Sequence, residues 1–172
     1  MQSRDETGSR WYAVWTRSNH EDVAASHLKA VGLRTFLPTV ELPSRRRDRK
    51  VTLTRPVFPG YLFVRSRLQA EQRLAILRAP GVVSLLGSSL GPQSVPDWQI
   101  RSIEIALASR HPVEVLLNLV SGRLVRIVEG ALAGMEGVVV VSPSGNSRVA
   151  VSLELLGRSL VVNVPTAAVK AA

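Results

Sequence analysis

Residues 55–65 read RPVFPGYLFVR: an apolar, aromatic, strand-like run broken in its middle by Pro59 and Gly60. A central strand does not hold proline, because proline donates nothing to the ladder. The stretch therefore predicts a turn that opens a new strand, with Phe58 and Tyr61 flanking the bend and Phe63 two residues further along the strand. What such a bend holds toward solvent is the functional question.

The neighbouring residues supply the elements around it. WYAVWT (11–16) is aromatic and β-branched and reads as a strand. Asn19 is expected to cap a helix carrying Val23, Ala24, Leu28 and Val31 on one face. Glu21 and Asp22 sit in its first turn, and Gly32 stops it. RTFLPTVEL reads as an edge strand or bulge because of Pro38. A second helix is expected over 69–79, with Leu74 in the core. Pro80-Gly81 ends it before the short strand VVSLLG. Asp97 is expected to cap a third helix reaching about Ser109, with Ile100, Ile103 and Leu107 on one face. Residues 110–121 read as an apolar connector. From Gly122 the pattern changes to four short strand candidates, RLVRIVE, GVVVVS, RVAVSLEL and SLVVNV, separated by turn formers. Strands at that spacing predict a small closed barrel. The fold class is thus α+β: a sheet flanked by helices over 10–109, a linker at 110–121, and an all-β barrel over 122–172.

Composition narrows the chemistry. The chain has no cysteine, which removes disulfides, thiolate nucleophiles and zinc–cysteine sites. No apolar run is long enough for a membrane span, and the polar start lacks a signal-peptide core. A cytoplasmic monomer with no membrane partner is expected. His20, Glu21 and Asp22 are the only dense acid/base cluster. Being consecutive, they point in different directions on a helix. With no phosphate loop, metal triad or nucleophile motif, neither an enzyme, nor a metal, nor a cofactor is expected.

Net charge is +9. Residues 1–121 hold 17 Lys/Arg against 10 Asp/Glu, whereas 122–172 hold 5 against 3. The densest run is SRRRDRKVTLTR (44–55), where Arg45, Arg46, Arg47, Arg49, Lys50 and Arg55 face only Asp48. Such a run is either a solvated hairpin tip or a contact for nucleic-acid phosphates.

FPGYLFV (58–64) downstream of WYAVWT, followed by GRLVRIVEGALAGMEGV (122–138), resembles the NusG family of transcription elongation factors. The first half is similar to the family's N-terminal (NGN) domain, and the second to a KOW motif in an SH3-like barrel. Gly122, Gly130, Gly134 and Gly137 are the structural glycines of that motif. The resemblance implies that an apolar depression lined by Phe58, Tyr61, Trp15, Tyr12 and Phe63 grips the clamp helices of RNA polymerase's largest subunit. It implies that Gln72 and Arg73, beside Leu74, meet a loop of the second-largest subunit, although the Thr-rich form of that segment is absent. The pattern WYAVWTRSNHE…RPVFPGYLFV is further similar to UpxY-type antiterminators. That likeness implies non-template DNA read by Arg17, His20, His27, Arg45, Arg46, Arg47, Arg49 and Lys50. In the barrel, Leu132 replaces the family's docking aromatic. With Met135 it is the expected contact for a small-subunit ribosomal protein or Rho. The competing reading is an RNA-binding ribosomal or translation-associated KOW protein. It is weakened by the charge lying in the other half of the chain.

Overall fold

A computed structural model describes residues 8–43, 52–118, 122–141 and 146–172. The chain forms two compact units, Met1–Val95 and Pro96–Ala172.

The first unit begins with β1 (Arg10–Thr16), α1 (Glu21–Ala30), β2 (Arg34–Phe36), β3 (Thr39–Pro43), β4 (Thr52–Pro56) and β5 (Tyr61–Ser66). It continues with α2 (Ala70–Arg78), β6 (Val82–Leu85) and three two-residue strands, β7 (Gly87–Ser88), β8 (Gly91–Pro92) and β9 (Ser94–Val95). Its antiparallel sheet runs β2-β5-β1-β6, with β9 on the first residues of β1. Among the described residues β3 pairs only with β4, and β7 only with β8. One face of the sheet, Val14, Leu62 and Val64, packs with Ala24, Ala25 and Leu28 of α1 and Ile76 of α2. The other face carries the rings of Trp11, Phe36 and Phe63. Each fully buried Leu, Ile or Phe here stabilises by roughly 1.5–3 kcal/mol before entropy is counted.

Helix details depart from expectation. Asn19 is not the cap. It sits at φ 61, in the left-handed region that asparagine tolerates, and His20 precedes the helix. Asn19 instead makes the tight turn from β1. Val23 and Val31 stay about half exposed, because Ala24, Ala25 and Leu28 form the buried stripe. Leu74 is 47% exposed rather than core; only Ile76 of α2 is fully buried. Gly32 does end α1, at φ +84, where the amides of Val31, Gly32 and Leu33 bond back to the last turn.

The second unit holds α3 (Asp97–Ala108), β10 (Val113–Leu116), β11 (Arg123–Ile127), β12 (Glu136–Val141), β13 (Asn146–Leu153), β14 (Arg158–Pro165) and β15 (Val169–Ala171). These strands form one antiparallel sheet ordered β10-β14-β13-β12-β11-β15, with no ladder joining its two end strands among the described residues. Val125, Ile127, Val149, Val151, Leu160 and Val162 are buried along it.

Two boundaries move. The connector over 110–121 contributes β10, whose residues Val113 and Val115 pair with Val162 and Leu160 of β14. Val113, Val115 and Leu116 belong to a strand, whereas Leu117 lies past its end and is exposed. The third helix groups with the second unit rather than with 10–109. The Ser102 hydroxyl accepts the Glu136 amide at 2.8 Å, and Gln99 Nε2 donates to the Ser152 carbonyl at 2.9 Å. Ile100, Ser102, Ile103 and Ala106 are its buried face, with Leu107 half-buried and Pro96, not Asp97, at the cap.

Candidate partner-binding surfaces

The bend at Pro59-Gly60 lies between β4 and β5, so no strand is broken. Gly60 adopts φ +84, a conformation that costs other residues about 1 kcal/mol or more. Its carbonyl accepts the Thr16 amide at 2.8 Å, and its own amide donates to Glu21 Oε1 at 2.7 Å. Glu21 is 5% exposed, so this carboxylate is a buried brace from α1 to a turn 39 residues away. The neighbouring turn is equally tight. The Arg17 amide donates to the Gly81 carbonyl, and a Cβ on Gly81 would lie 2.4 Å from His20 Cβ. The end of β1, the start of α1 and both Pro-Gly turns are thereby tied together.

Side-chain direction divides the five aromatic candidates. Phe58 and Phe63 are both 0% exposed and meet edge-to-face, with ring centroids 6.3 Å apart. Phe36 stacks on Phe63 at 6.2 Å. Phe58 and Phe63 therefore lie in the core of this unit and present no side-chain surface, contrary to the sequence expectation. Alternation does not separate Phe63 from Tyr61, since both lie on the same sheet face; Phe63 is buried because Phe36 and Phe58 pack against it. Tyr12 is also displaced, because it pairs with Val64 on the opposite face and packs against the α1/α2 core. What remains accessible is a cross-strand pair, Trp15 at 44% exposure opposite half-buried Tyr61.

The start of α2 is also reassigned in part. Gln72 Oε1 accepts the Ser66 hydroxyl at 2.9 Å and the Arg67 amide at 3.1 Å, so its carbonyl fixes the β5–α2 corner. Arg73, Leu77, Leu85 and Pro92 line a hollow of about 280 Å³.

Of the basic candidates, Arg17, His20 and His27 are exposed. His20 Nδ1 lies 3.0 Å from the Ser18 carbonyl, which fixes its ring as a donor there. Arg45, Arg46, Arg47, Arg49 and Lys50 lie outside the described residues. Among the described residues no cluster of potential metal ligands exists, and no helix is long and apolar enough to cross a membrane.

In the second unit, Leu132 is 3% and Met135 0% exposed, so the expected docking pair faces inward. Hydrogen bonds close the loop around them. Gly134 N donates to Ile127 O at 2.8 Å, Ile127 N to Met135 O at 2.9 Å, and Met135 N to Leu132 O at 3.1 Å. Of the four glycines, Gly130 and Gly134 take positive φ, while Gly122 and Gly137 stand where a Cβ would meet a strand carbonyl at 2.5 and 2.6 Å.

Sequence reading missed Glu21 and Phe36. A glutamate in a first helical turn reads only as a dipole partner, and nothing local announces a contact 39 residues away. Phe36 was legible as a strand aromatic but not as a stacking partner.

The protein-family model described as "Transcription termination factor nusG" matches residues 9–104. The chain belongs to the NusG family. The NusG of Thermus thermophilus, named a transcription termination/antitermination protein, is 27% identical over 172 residues, covering 90% of this chain and 94% of that protein. That of Vibrio vulnificus is 28% identical, covering 90% and 91%. A solved structure described as "Domain interaction in Thermotoga maritima NusG" aligns with 96% of this chain and 98% of its own, at 25% identity and a TM-score of 0.53. This NusG family member is accordingly a transcription factor of the NusG type, with an α+β architecture.

Proposed function

We propose that this protein is a transcription elongation or antitermination factor that holds RNA polymerase by its clamp helices and suppresses pausing or termination. The single observation behind this reading is accessible Trp15 in register with half-buried Tyr61, at a corner where Phe58 and Phe63 are buried. Rigid amphipathic rings bury much area for little entropy and commonly anchor interfaces. Arg73, on the rim of its hollow, faces the second-largest subunit, while Gln72 holds the corner that presents it. The barrel unit recruits a further partner, a ribosomal protein or Rho. The exposed side chains of Arg17, His20 and His27 border non-template DNA, as in the operon-specific UpxY-like paralogues.

The test is co-purification of cognate polymerase with Trp15→Ala and Tyr61→Ala variants of the full chain. Each is expected to weaken binding by more than about tenfold, the scale of an interface hot spot, with unchanged thermal melting. Wild-type affinity in both variants rejects the platform. Transcription in vitro, scored for pause lifetime and read-through, then reports the consequence of binding.

A further inference from the structure

Helix α3 enters the sheet of the second unit through two polar side chains. Among the described residues the paired register of β12 and β13 runs from Val141 with Ser147 to Val138 with Ala150, and there it stops. Continued to the next hydrogen-bonding position, it sets Glu136 opposite Ser152, both of them strand residues. The Ile127 amide bonds to the Met135 carbonyl, so the alternation of an antiparallel ladder turns the next amide, that of Glu136, toward β13. There it meets Ser102 Oγ at 2.8 Å, while the Ser152 carbonyl takes Gln99 Nε2 at 2.9 Å. Two backbone groups that the register brings face to face are thus each held by a side chain of α3.

Ser102 is 1% exposed and shares the buried face of α3 with Ile100, Ile103 and Ala106. A polar residue on that face weakens docking relative to an apolar one, because its hydroxyl must find a partner to be buried. The helix has no side-chain hydrogen bond at its Pro96 cap, and it spans 12 residues, a length at which a helix without packing is marginal in water. Removing a helix ordinarily orphans the groups it bonded. Here those groups are one donor and one acceptor in register, and closing the strands by one rung satisfies both. Docked and released forms therefore each satisfy the same backbone groups. Ile105 Cδ1 also stands 3.6 Å from where a Cβ on Gly134 would lie, so release uncovers the loop at 130–137.

We propose that α3 is a releasable wedge in the second unit. Docked, it holds the β12–β13 ladder open at Glu136 and Ser152. Released, it melts, the Glu136 amide passes to the Ser152 carbonyl, and the loop around Gly134 is bared. The device does not depend on how the first unit binds polymerase.

Amide hydrogen exchange and NMR couplings across hydrogen bonds, both on the full chain, test it. In the wild type, the amides of Ile103 to Ala108 are expected to be at least about tenfold less protected than those of Val149 to Val151, through opening of α3 alone. Gln99→Ala combined with Ser102→Ala removes both α3 bonds and should lower the protection of α3 by about tenfold or more again. Glu136 should keep its protection in that variant, and a coupling from its amide nitrogen to the Ser152 carbonyl carbon, absent in the wild type, should appear. Equal protection of α3 and β13 in the wild type overturns the proposal, because α3 then opens only with the whole unit. So does a double variant in which α3 keeps its wild-type protection, in which Glu136 loses its own, or in which the second unit unfolds.

Discussion

Two glycine-bearing corners, at 58–61 in the first unit and at 130–137 in the second, each bring apolar side chains to the end of a strand pair. At the first, Phe58 and Phe63 turn inward while Trp15 and Tyr61 remain within reach of solvent. At the second, Leu132 and Met135 turn inward and no aromatic is left outside. The difference is one of supply. The sheet edge around residue 60 has more ring surface than its own core can enclose. The loop at 130–137 has just enough aliphatic surface to seal one end of a small sheet. An apolar residue beside a functional turn therefore indicates a binding surface only when the turn holds more of them than the interior can take.

Substitutions that treat the inward residues as contacts test that distinction most severely. Phe58→Ala is expected to cost about 3–5 kcal/mol, and Met135→Ala about 2–5 kcal/mol, of unfolding free energy, the range for emptied core sites. Urea unfolding of the full chain, followed unit by unit, checks both. A Phe58→Ala protein of normal stability that no longer binds polymerase would return Phe58 to the interface. A smaller effect is expected at the brace. Glu21→Ala should cost about 1–3 kcal/mol by orphaning the buried Gly60 amide, and Glu21→Gln, which keeps an acceptor, should recover most of it. Polymerase affinity in Glu21→Ala should fall with the lost turn geometry, whereas Trp15→Ala lowers affinity alone. The smallest effect belongs to the ion pair Arg126–Glu136 in the second unit, whose side chains are 57% and 21% exposed. Arg126→Gln should change stability by less than about 1 kcal/mol, and salt should erase the difference.

The sequence made the element order and the change of pattern near residue 122 legible, because strand and helix periodicity and Pro/Gly punctuation are local properties. It also located the corner at residue 60. Which rings face outward was not legible. That depends on register between β1, β2 and β5, set by pairings up to 56 residues apart, Arg10 with Ser66. The same limit explains the connector read at 110–121. Val113 to Leu116 become a strand only because β14 offers its edge. It explains Leu74 as well, since helix period alone does not say which side the sheet lies on. Where a reading rested on family pattern, the side chains of Tyr12, Phe58, Phe63, Leu132 and Met135 turned inward instead.

The ribbon of β3 and β4 closes its ladder on itself, from Thr39 with Pro56 to Pro43 with Thr52. Each strand spans five residues, or roughly 17 Å. Removing or adding matched residue pairs in both strands would shorten or lengthen this arm while keeping the ladder of the main sheet. Related chains can thus change the length of the ribbon, like resetting a ruler, while the register of Trp15 with Tyr61 stays as it is.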